Sequence, residues 1–138
     1  MKKKNKTAKN EKFNPKKAKK KIDILWSKKI RARDKVCRKC KHAPASQAAH
    51  IFGRGNLSTR WDEENGLGMC YYCHIIWAHR EPVEFTLWVK TEIGEDNFES
   101  LRRRAREIYD PSNLQKDCER LEKSLKVELK ELNPSGKS

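Results

Sequence analysis

Cys37-Arg38-Lys39-Cys40 and, after a span of 29 residues, Cys70-Tyr71-Tyr72-Cys73 are the stretches whose reading decides how this chain is built. A CxxC turn aims two thiolates at one point, and two such turns complete a tetrahedron of sulfur, the closed donor set of a structural zinc ion. With all four positions taken by protein, such an ion holds a fold together and leaves no open place for substrate. Thiolate ligation needs a reducing compartment. Met1-Lys2-Lys3-Lys4 is followed by no hydrophobic stretch, and no apolar run approaches the length of a membrane span. The expected setting is therefore the cytoplasm, with no membrane partner. The fifth cysteine, Cys118, falls on an apolar stripe and reads as core.

Composition explains why a staple is needed. Of 138 residues, 38% are charged and 36% hydrophobic, and the mean hydropathy is -1.03. Apolar burial alone is a weak support for so polar a chain. The net charge of +14 points to a polyanion as partner. Most of it sits at one end, because residues 1–21 hold 11 lysines and a single acid. These residues read as a disordered basic arm that contacts nucleic acid, with Asn14-Pro15 interrupting any helix there.

Outward from the cysteines, Ile22, Leu25, Trp26 and Ile30 mark one face of an amphipathic helix running to about Arg33. Between the knuckles the composition predicts a hairpin, with strands at 46–51 and 66–69. A helix is expected from about Cys70 to the residue before Pro82. Two more follow, split at Gly94, and Asp110-Pro111 caps a last one whose leucines either pack back on the body or zip to a second copy. The organisation expected is a basic arm over 1–21, a zinc-stapled α+β domain over 22–109, a C-terminal helix over 110–132 and a frayed tail over 133–138.

The span between the knuckles exceeds the roughly 15–20 residues of a plain zinc ribbon. It contains Gln47-Ala48-Ala49-His50-Ile51, then Arg54, then Thr59-Arg60-Trp61-Asp62-Glu63-Glu64-Asn65-Gly66, and it runs into Cys70-Tyr71-Tyr72-Cys73-His74. The order His50, Asn65, CxxC-His74 resembles the HNH, or His-Me finger, endonucleases. Within that family it is most similar to the phage NinG/Rap recombination nucleases, over about residues 22–132. The resemblance implies a ββα-metal core with flanking helices and a metal-dependent DNA endonuclease that hydrolyses phosphodiesters. The substrate it implies is duplex or branched DNA, met in phage recombination inside a bacterial or phage-infected cell, with a homodimer as one possible assembly.

The same resemblance assigns roles. His50 is the expected general base, since neutral imidazole is available near pH 7. Asn65 is expected to brace the hairpin and orient His50. His74 is expected to hold a catalytic divalent cation, Mg²⁺ or Mn²⁺. Many members carry a further metal ligand just before the base, where this chain has Ala49, leaving one protein ligand fewer. His79 is a second candidate ligand, but five residues past His74 it lies about 140° around an α-helix. It reaches the same ion only where that helix loosens ahead of Pro82. Arg54 and Arg60 are candidate phosphate clamps. The alternative function is a non-catalytic, zinc-stabilised nucleic-acid-binding module, which needs the cysteines and lysines but not the histidines.

Overall fold

A computed structural model describes residues 12–132. The elements are helix α1 (Pro15–Asp34), strands β1 (Gln47–His50) and β2 (Gly66–Met69), a π-helical segment α2 (Tyr72–Ala78), and helices α3 (Pro82–Ile93), α4 (Glu95–Ala105) and α5 (Leu114–Leu132). The result is a small α+β fold around one two-stranded antiparallel sheet. No helix among the described residues is long and apolar enough to cross a membrane.

Helix α1 begins earlier than the apolar pattern suggests, which corrects the expected extent of the basic arm. Asn14-Pro15 starts the helix instead of interrupting it. The Asn14 side chain accepts the Lys17 amide N–H at 3.2 Å, and Pro15 sits in the first turn, where no amide hydrogen is needed. Residues 15–21 are thus helical, while residues 1–11 of the expected arm and the tail at 133–138 lie outside the described residues. The first hairpin strand is one residue shorter at each end than expected, Gln47–His50 against 46–51, and the second spans Gly66–Met69 as expected.

The sheet pairs His50 with Gly66, Ala49 with Leu67 and Ala48 with Gly68. Side chains alternate across a strand, and here the alternation separates two cores. Ala49, Leu67 and Met69 pack with Cys37, Cys73, Val89 and Phe98 beneath α3 and α4. The opposite face is nearly bare, with Ala48, Gly66 and Gly68, and α1 lies directly across it. Behind α1, its residues Ile22, Trp26 and Ile30 meet Leu114, Cys118 and Leu125 of α5. Within one chain, then, the leucine stripe of α5 packs back on the body.

Gly66 makes this close approach possible. A Cβ built there would lie 2.5 Å from Cζ2 of the buried Trp26 ring and 2.9 Å from the Ile30 side chain. Asp34, at the end of α1, locks the same contact by accepting the Gly68 amide N–H at 2.7 Å and the guanidinium of Arg33. We expect Gly66→Ala to cost about 1–3 kcal/mol through overpacking, read as a lowered midpoint in urea unfolding. An unchanged midpoint would show that α1 does not rest on the hairpin.

Candidate active site and cysteine cluster

The four thiols converge. The Sγ atoms of Cys37, Cys40, Cys70 and Cys73 all lie within 4.8 Å of one another, with Cys40 and Cys70 4.0 Å apart. A tetrahedral zinc site with Zn–S bonds near 2.3 Å has sulfur edges of about 3.8 Å, so the donor set and its spacing suit a structural metal such as zinc. Backbone N–H groups of Ala43 and then His42 point at Cys40 and bring its thiol down to about 6. Burial among the other thiols pushes Cys73 the opposite way. A cation at the centre relieves that conflict by favouring four thiolates. Among the described residues this is the only group of three or more Cys, His, Asp or Glu side chains with converging ligand atoms.

A cleft of about 470 Å³ opens on the other side of the hairpin, and Asp23, Trp26, His50, Arg54, His74 and His79 line it. His50, the last residue of β1, is stacked on Trp26 of α1, with ring centroids 4.1 Å apart and planes 14° from parallel. Its Nε2 lies 3.0 Å from the Arg60 carbonyl oxygen. A carbonyl only accepts, so the hydrogen resides on Nε2 and Nδ1 keeps its lone pair. Burial depresses the pKa of His50 below 6.5, against the opposing pull of the Arg60 carbonyl and the Asp23 charge. The ring is therefore neutral at physiological pH.

Asn65 is fully buried just ahead of β2. Its Oδ1 accepts the Phe52 N–H at 2.8 Å, its Nδ2 donates to the Phe52 carbonyl at 2.9 Å, and its own carbonyl accepts the Ile51 N–H. Three bonds thus fasten the two residues after His50 to the base of the second strand.

His74 follows the last cysteine directly. Its Nδ1 lies 2.8 Å from the Gln47 side-chain oxygen, so Nδ1 carries the hydrogen and Nε2 is left with a lone pair. Burial, with the nearby His79 and His50, pushes its pKa down to about 4. His79 is brought to the same place by the backbone. In the π-helical α2, hydrogen bonds run from i to i+5, so residues five apart lie over one another instead of about 140° apart. The two rings stand edge to face with centroids 4.9 Å apart. His79 is exposed, and His74 is half-buried.

The two arginines differ. Arg60 donates from Nε at 3.1 Å and from Nη2 at 2.7 Å to Asp23, and its side chain is only 13% exposed. It is committed to holding the loop whose carbonyl grips His50. Arg54 makes one bond to Asp23 at 3.1 Å and is 63% exposed at the cleft mouth. Asp23 also accepts the Trp61 indole N–H at 2.8 Å. Burial works against its charge, but the Arg60 and Trp61 hydrogen bonds and the two guanidiniums keep its pKa below 3.8.

Asp23, Trp26 and Gln47 are the site residues that sequence reasoning missed. Asp23 and Trp26 read only as parts of an amphipathic helix, and Gln47 as an ordinary strand residue. The one available signal was the i, i+3 spacing that puts Asp23 and Trp26 on a common helix face.

Fold and site together define a class: a small α+β chain with a four-thiol cluster on one side of a hairpin and a three-histidine cleft on the other. Compared with known proteins, the chain matches no protein-family profile, no curated protein and no solved structure.

Proposed function

We propose that this chain is a metal-dependent DNA endonuclease of the HNH (His-Me finger) type. In this reading the hairpin and α2 form a ββα-metal core, and Cys37, Cys40, Cys70 and Cys73 bind structural zinc. The observation that supports it best is the single hydrogen bond from His50 Nε2 to the Arg60 carbonyl. It fixes the tautomer with a basic Nδ1, the form a general base requires.

In the proposed reaction His50 Nδ1 takes a proton from water, whose oxygen then bonds to phosphorus. The P–O3′ bond breaks, the departing oxygen takes a proton from solvent, and a 5′-phosphate remains. A divalent ion such as Mg²⁺ or Mn²⁺ supplies positive charge for the crowded phosphate and the leaving oxygen. His74 and His79, with Nε2 of His74 free, are the residues that would hold it, and Ala49 adds nothing to that set. Gln47 orients His74, as outer-shell partners of metal-binding imidazoles do. Trp26 and Arg60 fix the ring of His50, Asn65 fixes the turn beyond it, and Arg54, exposed at the cleft mouth with one bond to Asp23, is placed to meet a phosphate.

The substrate class we infer is duplex or branched DNA, in a bacterial or phage-infected cytoplasm, with phage recombination as the setting. Symmetric cutting of a branch would require a homodimer, since two strands need two sites. The test offers supercoiled plasmid, linear duplex and a four-way junction to the full chain with Mg²⁺ or Mn²⁺. We expect cleavage that a chelator stops, with the junction cut fastest. Binding without cutting under every common divalent ion would replace this reading with that of a non-catalytic zinc module.

A further inference from the structure

A second groove, of about 650 Å³, adjoins the cleft and shares Asp23 and Arg54 with it. Its other lining includes Lys16, Lys19, Lys20 and Arg60, so five cations face a single carboxylate. That carboxylate, Asp23, is already matched by Arg60, Arg54 and the Trp61 indole. The three lysines are exposed or half-buried, and none pairs with an acid among the described residues, unlike Lys21 and Lys29 of the same helix.

Their spacing matters as much as their charge. Lys16, Lys19, Lys20, Asp23 and Trp26 fall on one stripe of α1 under the i, i+3, i+4 rule. One rigid helix therefore carries a cationic face at its start and the platform for His50 further along. At 1.5 Å per residue, Lys16 to Trp26 spans about 15 Å. Lys20 to Trp26 spans about 9 Å, so the lysines lie on the order of three to four nucleotides from the cleft, taking 3.4 Å of axial rise for each phosphate of a strand.

We propose that this stripe is a phosphate track, gripping the backbone of one DNA strand a few nucleotides from the bond at His50. The proposal rests on the nuclease reading for its substrate, and it assigns the affinity to a helical face with a fixed bearing on the cleft. A charged arm without structure would supply attraction but no alignment.

The experiment uses the full chain with Lys16, Lys19 and Lys20 all changed to Gln. A control changes Lys28, Lys35 and Lys123 to Gln, removing the same charge at exposed positions off the stripe. Binding of a 20-base-pair DNA duplex is measured across salt concentrations, and cleavage at saturating DNA is measured beside it. We expect the stripe variant to bind more than tenfold more weakly near 150 mM salt. Its log–log salt slope should be shallower by about 2–3, given about 0.9 per phosphate contact. The control should lose less than threefold, and both should keep the wild-type rate at saturation. Equal losses in the two variants would reduce the effect to bulk charge and overturn the track. Tighter binding of an RNA duplex of the same sequence would overturn the assignment to DNA. Wild-type protein that binds but never cuts would sink the nuclease reading alone, because the salt slopes still judge the track.

Discussion

Purified without chelator, the protein should carry about one zinc ion per chain, and stripping it should unfold the hairpin with the helices that rest on it. Cys37 and Cys73 are buried in the same cluster as Leu67, Met69, Val89 and Phe98, so the sulfur cage is part of the core under α3 and α4. Without a cation, four thiols remain at separations that favour neither full ionisation nor good packing. Apparent binding energies of structural zinc run to about 10–16 kcal/mol, as large as the whole stability of an ordinary domain, about 5–15 kcal/mol. Removing one ligand by Cys37→Ser should therefore abolish cooperative unfolding of this half. Metal analysis, thiol titration and near-ultraviolet circular dichroism read the result. Four freely reactive thiols in a chain that keeps its tertiary signal would defeat the prediction.

His50→Ala should leave DNA affinity nearly unchanged and lower the cleavage rate by about 10²–10⁴, the usual cost of losing a general base. The lysines and Arg54 lie elsewhere, so duplex contacts survive while water goes unactivated. Because the ring also covers Trp26, His50→Asn is the companion variant, keeping a polar group in contact with the indole while removing the base. Unfolding midpoints for both separate lost chemistry from lost packing. The wild-type pH profile carries the same information. Burial holds the pKa of His50 below the ordinary histidine value, so the active, unprotonated form predominates at pH 7. Cleavage should level off with respect to this group above the ordinary histidine range and fall on acidification. Rates that stay high in His50→Ala would remove this residue from the chemistry.

The hairpin and the cysteine cage were legible because their signals are local. A CxxC spacing fixes a turn, and Gly, Asn and alternating apolar residues mark two short strands. What the sequence hid depends on pieces far apart in the chain. Nothing near Asp23 reveals that Arg60 and Trp61, 37 and 38 residues away, will converge on it. Gly66 of β2 read as a plain strand residue, whereas its bare Cα lets Trp26 reach His50. Asn14-Pro15 was ambiguous for a different reason: the same pair ends one helix or starts another, and only the packing of Phe13 and Ala18 against the α1–α5 core shows which. The placing of His79 turned on winding that the sequence does not reveal: an α-helix sets it about 140° from His74, whereas the π-helical α2 brings the two rings together.

That winding bears on how the chain tolerates changes of length. A π-helical turn is an α-helix with one residue more than it needs. In an ordinary helix a single deletion swings everything downstream by about 100°. Within Ile75–Ala78, between the two histidines, the same deletion has somewhere to go, because the surplus residue can be given up and the segment rewound as α-helix. His74 and His79 would then stand four apart, again on one face, with Pro82 and α3 still leaving in register. Spacing and winding are therefore one coupled variable at this site. The pair of imidazoles is preserved along two routes, a π-wound backbone with five-residue spacing or an α-wound one with four. An insertion has no such refuge, so this stretch should accept shortening far more readily than lengthening.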